Sequence, residues 1–347
     1  MKNVKLKYTR GEVNKAGDIF RDTTSSDESL LWAADVLGNW RAIHNYPINT
    51  FQATLRHKLK TIDNKSLVAQ RLKRIPSIVE KLRRFTDMQL ARMQDIGGLR
   101  AVVDNLIQVQ KLYENYKSTP FQHKLISERN YIDSPKISGY RSIHLVYRYN
   151  NKTVTDYNGL LIELQIRTRQ QHAWATAVET MGIFLNYALK SSEGPDEWLT
   201  FFSLTGSAFA HLENQNPVPG YEGLSNIETY RHVAKKSQEL NVRSKLTGFG
   251  AAINLIHSDE RRGTYYLLIL DPGAKTIRLQ AYSRDRFDIA TADYLKAEEQ
   301  IVKGSQNQAV LVATESIESL RRAYPNFFLD THEFFRILKH IEDLAVK

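Results

Sequence analysis

Residues 131–180 read YIDSPKISGYRSIHLVYRYNNKTVTDYNGLLIELQIRTRQQHAWATAVET, and the fold follows from how this stretch alternates. Apolar residues at every second position predict a strand from Ser142 to Tyr149 and another from Leu160 to Thr168. The polar Asn150–Lys152 segment predicts a turn between them, and a helix is expected from about Gln170. Lys136, Tyr140, Arg141 and His144 lie on or beside the Gly139 loop. Glu163, Gln165 and Arg167 alternate along one strand face, and His172 follows from the helix. This pattern gathers many polar groups at one end of a sheet, as a site requires.

Upstream, residues 69–84 read AQRLKRIPSIVEKLRR. Arg71 and Lys73 share one face of a short predicted strand, and a helix is expected from Pro76 or Ser77. Ser77, Lys81 and Arg84 then fall at i, i+4 and i+7 on one helix face. Two readings fit equally at this point: a solvated basic helix, or a cradle for a triphosphate at a helix N-terminus. The segment DIGGLRAVVD (95–104) places Asp95 before two glycines and a buried-strand candidate, with Arg100 inside the strand.

The rest of the chain divides around this core. Residues 1–62 read as helices, 63–213 as the core and 214–256 as a helical linker beginning in the turn-rich NQNPVPGYEGL. Residues 257–347 read as a small ββαβα module with an apolar core of its own. The fold class expected is α/β (α+β), a mixed sheet flanked by helices plus this C-terminal module.

Charge is distributed unevenly. Residues 1–190 carry 30 Lys and Arg against 17 Asp and Glu, whereas residues 191–347 carry 18 against 21. A basic first part suits a polyphosphate or nucleic-acid partner, although a soluble basic surface also accounts for it. No apolar run approaches the ~20 residues of a membrane span, and the N-terminus lacks the apolar stretch of a secretory signal. With no cysteine, disulfides and thiolate zinc sites are excluded, and a cytoplasmic location is expected.

SGYRSIH (138–144), ELQIRT (163–168) and DIGGLR (95–100), in that spacing, resemble the synthetase domain of the RelA/SpoT family of pyrophosphokinases. The resemblance covers about Arg71 to Glu179 and implies a nucleotidyltransferase-like sheet. It implies that ATP donates pyrophosphate to a ribose 3′-hydroxyl, with Mg2+ held by Asp95 and Glu163 and with Glu163 helping to activate the acceptor. Residues 71–84 match the family's RxKxxxSxxxKxxR segment, so Arg71, Lys73, Ser77, Lys81 and Arg84, with Arg100, are expected to hold ATP. Tyr140 matches the aromatic that stacks on the acceptor base. Lys136, Arg141, His144, Gln165, Arg167 and His172 would surround the acceptor. One departure is Ser138, where the family usually has Asn.

The acceptor is expected to be the 3′ end of tRNA, with GDP or GTP as the alternative. A catalytically inactive RNA-binding module is a third reading, opposed by the intact Asp95 and Glu163 pair. The C-terminal module resembles that of the fused toxin–antitoxin synthetases called CapRel. There a pseudo-zinc-finger domain covers the ATP site until a phage capsid protein releases it. That resemblance assigns an autoinhibitory role to Tyr324 and Phe327 within YPNFFLD (324–330), where Phe327 replaces the second Tyr of a Tyr-x-x-Tyr segment.

Overall fold

The computed structural model describes residues 4–118, 121–185, 187, 189, 192–251, 254–257, 265–271, 273–274, 276–302, 307–313 and 331–346. Three helices open the chain. The first, Arg10–Arg21 (α1), starts at a reciprocal cap between Thr9 and Glu12. The second, Asp27–Ile43 (α2), starts at Ser26, whose hydroxyl accepts the Ser29 amide. The third is Asn45–Ile62 (α3). Pro47 sits in its first turn, where a missing N–H leaves no bond unmade.

A five-stranded sheet follows, built from Leu67–Leu72 (β1), Gly97–Val103 (β2), Lys124–Asn130 (β3), Ile143–Arg148 (β4) and Leu161–Thr168 (β5). Between the strands lie helices Ile75–Arg84 (α4) and Leu106–Ser118 (α5). The spatial order is β1-β2-β5-β4-β3, with β2 parallel to β5 and every other pair antiparallel. One face is apolar: Leu99, Ala101, Leu145, Ile162, Leu164 and Ile166 pack with Phe51, Leu55, Val109 and Leu112 of the helices. The period of two then forces the alternate residues, including Glu163 and Gln165, onto the opposite face.

The helix expected near Gln170 is Arg169–Leu185 (α6). The next helix, Asp196–Leu212 (α7), starts after Gly194, which takes φ 145°, with Pro195 at its N-cap position. The segment 214–256, expected as a helical linker, holds two helices, Asn226–Glu239 (α8) and Val242–Ala251 (α9), separated at Asn241 with φ 52°. These helices share a second apolar core containing Trp174, Phe201, Phe209 and Val233.

A second sheet follows. Its strands are Asn254–His257 (β6), Tyr265–Asp271 (β7), Thr276–Tyr282 (β8) and Gln308–Ala313 (β9), in the order β6-β8-β7-β9. Helix Phe287–Val302 (α10) precedes β9. Strand β6 begins inside the 214–256 segment expected as a helical linker. Ala69 and Leu67 of β1 join the apolar cluster of Tyr266, Leu268, Val310 and Val312, so this sheet packs against the edge strand of the first.

The last helix, His332–Ala345 (α11), corrects the grouping of residues 257–347 as one module. It packs on α8 and α6, with Phe334, Leu338 and Ile341 fully buried in the helical core. Its apolar stripe repeats at helical spacing, and that periodicity names no partner. Among the described residues no helix is long and apolar enough to cross a membrane.

Candidate active site

Register places the polar groups. Arg71 of β1 stands opposite Gly98 of β2, which stands opposite Glu163 of β5. One step along, Ala69, Arg100, Gln165 and His144 form the next row across four strands. Cross-strand partners point to the same side, so these rows share the face opposite the apolar core. Arg71, Lys73, Asp95, Arg100, Glu163 and Gln165 line a single cleft there. The absence of a side chain at Gly98 keeps the floor between Arg71 and Glu163 low: nothing but backbone oxygens comes within 4.0 Å of a Cβ built there.

Each carboxylate of the pair is fully engaged. Lys73 Nζ and Lys81 Nζ each lie 2.9 Å from a different oxygen of Asp95. Burial opposes ionisation of Asp95, but the two ammonium groups outweigh it and hold the carboxyl well below its usual range. Burial in turn depresses Lys73. Glu163 receives His144 Nδ1 at 2.9 Å on one oxygen and Gln165 Nε2 at 2.7 Å on the other. Here too burial pushes upward, yet the His144 contacts prevail and the carboxyl is lowered.

The loop before β4 is set by Gly139 at φ 93°. A side chain there would meet Trp174 at 2.8 Å and the Phe202 carbonyl at 2.9 Å, so glycine lets the loop abut α6 and α7. Tyr140, expected as an open stacking surface, is 4% exposed. Its ring lies edge-on to Tyr131 and His144, and its hydroxyl is 2.8 Å from His144 Nε2. Ionised Glu163 can only accept, so Nδ1 of His144 donates to it, and the Tyr140 hydroxyl meets Nε2 on the other side of the ring. Lys136 is exposed, with its ammonium 4.5 Å from the Tyr131 ring centroid and 5.4 Å from that of Tyr140.

Several expected residues do other work. Arg141 is buried and pairs at 2.9 Å with Glu213, just past α7; burial lowers its affinity for the proton, and Glu213 opposes this. It ties the loop to the helical layer and is not among the residues that line the cleft. Arg84 bonds Glu80 and Glu193 instead of joining Lys81 at Asp95. Ser77 is half-buried in the first turn of α4. Arg167 is buried against His172; burial and then the Arg100 charge push it down to about 9. Tyr324 and Phe327, the expected inhibitory aromatics, lie outside the described residues.

The sequence reading missed Gln70, which lines the cleft and donates to Asn49 Oδ1 at 2.9 Å. Its place beside Arg71 was the one available signal. It also missed Arg41 and Glu298, whose polar contacts bridge elements 257 residues apart. No local pattern announces such a pair.

The donor set suits a hard divalent cation. Asp95 and Glu163 both line one cleft, and magnesium takes one or two carboxylates along with phosphate oxygens, so a carboxylate oxygen would exchange its present donor for the cation. Among the described residues no cluster of three or more His, Cys, Asp or Glu gathers elsewhere, so ligands beyond this pair would come from substrate and water.

Residues 70–185 match the model for the region found in RelA / SpoT proteins. Over 114 residues the chain is 39% identical to GTP pyrophosphokinase YjbM of Bacillus subtilis (strain 168), covering 31% of this chain and 52% of that protein. It is 30% identical over 141 residues to the GTP pyrophosphokinase of Escherichia coli (strain K12), covering 40% and 18%. The chain thus spans about half the length of YjbM and far less of the latter. The crystal structure of small alarmone synthetase 1 from Bacillus subtilis shares 31% identity over 49% of this chain and 90% of that one, with a TM-score of 0.40. The chain carries, at residues 70–185, the region found in RelA and SpoT proteins, and that region builds the sheet face on which the two carboxylates meet the cations.

Proposed function

We propose that the chain is an ATP-dependent pyrophosphokinase that moves the β,γ-pyrophosphate of ATP to a ribose 3′-hydroxyl. The observation that carries this reading is the convergence of Asp95 and Glu163 with Arg71, Lys73 and Arg100 in one cleft. Phosphoryl-type transfer needs positioning and charge neutralisation more than covalent chemistry. Arg71, Lys73, Lys81 and Arg100 supply fixed positive charge for the donor phosphates. Glu163, oriented on both oxygens, accepts the proton of the acceptor hydroxyl as that oxygen attacks the β-phosphorus and the bond to AMP breaks. A bound Mg2+ would neutralise phosphate charge between Asp95 and Glu163. Lys73 and Lys81 hold the Asp95 carboxylate in place before the nucleotide arrives.

The names of the relatives support GDP or GTP as acceptor. A second reading takes the 3′ end of tRNA as acceptor and is favoured by the 30-to-17 excess of basic residues in residues 1–190 and by Ser138 at the acceptor loop. With it come an antitoxin role for the C-terminal region, acting through Tyr324 and Phe327, and release by a phage protein. Purified protein incubated with γ-labelled ATP and either GDP/GTP or tRNA decides between the acceptors. Label on neither, with label still absent in Tyr324→Ala/Phe327→Ala protein, overturns the enzymatic reading. Asp95→Asn and Glu163→Gln should each lower turnover at least ~100-fold.

A further inference from the structure

Glu298 lies in α10, on the second sheet's side of the molecule, and is fully buried. Its carboxylate accepts the backbone amide of Ile75 at 3.1 Å and the Tyr294 hydroxyl at 2.8 Å on one oxygen, and pairs with Arg41 on the other. Ile75 is the first residue of α4, so Glu298 caps this helix from 223 residues away. Arg74, at the N-cap position, offers no side-chain cap of its own. Arg41 donates in turn through Nε to the carbonyl of Lys73 at 2.9 Å and through a terminal nitrogen to Tyr294 at 2.6 Å. Arg74 reaches the same side, donating to Gln308 at 2.5 Å. The segment 73–75 that turns β1 into α4 is therefore gripped at a carbonyl, an amide and a side chain by groups outside the synthetase region.

That segment carries Lys73 and leads into Lys81, the two cations on Asp95. We propose that Glu298 is a positioning residue for the donor-nucleotide cradle, acting through the α4 amide and through Arg41 to fix the backbone that presents Lys73. The second sheet then completes the donor site from behind. The sheet's described residues stay out of the cleft itself, whose lining comes entirely from residues 69–165. The proposal rests on the pyrophosphokinase reading for what the cradle binds, and it differs from inhibition by residues 324–330.

The test uses full-length protein and a non-hydrolysable ATP analogue, so binding is read whether or not turnover occurs. Glu298→Ala should weaken analogue binding about tenfold, raise the KM for ATP with the acceptor KM within twofold, and speed hydrogen exchange at the Ile75, Ser77 and Ile78 amides. Glu298→Gln, which keeps an acceptor for Ile75, should recover most of that loss. Leu268→Ala serves as the packing control, since it loosens the second sheet's core without touching residues 73–75. Equal loss of analogue binding in Leu268→Ala and Glu298→Ala would overturn the proposal, as would unchanged binding in Glu298→Ala. Should Glu298→Ala fail to fold, Glu298→Asp, whose shorter side chain falls back from the Ile75 amide, and Tyr294→Phe carry the same comparison against Leu268→Ala. Analogue binding that depends on Glu298, with no transfer to any acceptor, would separate failure of the enzymatic reading from failure of this one.

Discussion

The Tyr140 hydroxyl meets His144 Nε2 at 2.8 Å, and through that contact it fixes which imidazole nitrogen faces Glu163. Tyr140→Phe removes the hydroxyl and keeps the ring in its packing against Trp174. Turnover should fall about tenfold, with the acceptor KM within twofold, because the ring edge is not an open stacking surface. Steady-state kinetics in both substrates check this. Tyr140→Ala should in addition lower stability by about 3 kcal/mol, as truncation of a buried aromatic does.

Arg141 and Glu213 pair at 2.9 Å with both side chains buried, and neither lines the cleft. Breaking one member strands the other charge. Glu213→Gln should therefore destabilise the protein by about 3 kcal/mol, measured by urea unfolding, while kcat/KM for the folded enzyme changes less than threefold. A large KM effect with normal stability would instead return Arg141 to the acceptor.

Two buried histidines set an acid limit on stability. Burial pushes both His44 and His123 down to about 4. In the unfolded chain they titrate near 6.5, so between pH 6.5 and 4 the unfolded state binds protons that the native state refuses. Stability is complete above pH 6.5, falls as pH drops through this window, and levels off near 4. Each histidine contributes about 3 kcal/mol to that fall. His123→Phe, which preserves the stack between Phe51 and Tyr149, should flatten the stability-versus-pH slope between 6.5 and 4.

Helix α11 supplies Phe334, Leu338 and Ile341 to the core that also holds Trp174 and Phe209. Phe334→Ala should cost about 4 kcal/mol, and truncation after residue 330 should abolish a cooperative transition in the helical layer by near-ultraviolet circular dichroism. Deleting everything beyond 257 would remove this helix together with strands β7, β8 and β9 of the second sheet. Point variants at Tyr324 and Phe327 therefore test inhibition more cleanly than truncation.

Much of the fold was legible because its signals are local. The period of two in residues 142–168 gave both central strands to within a residue, and Pro76 marked the start of α4 to within one. The cleft residues followed from the same alternation, since Arg71, Arg100, Glu163 and Gln165 must share a face once the register is set. What was not legible depends on distant partners. Nothing near Tyr140 says that its ring will be covered by Trp174, and nothing near Arg141 names Glu213. The destination of α11 was hidden for the same reason. A stripe such as Phe334, Leu338 and Ile341 records that a helix is buried, and any apolar surface would satisfy it.

The return of α11 to the helical layer also sets an order of events at the ribosome. Residues 254–313 are synthesised before residues 332–345, so the second sheet's strands have left the exit tunnel before the helical core around Trp174 receives its last members. A growing chain thus has its whole second sheet in hand before the packing behind Tyr140 is finished. The packing behind Tyr140 would then close only on chains that already carry Glu298, the group that caps α4.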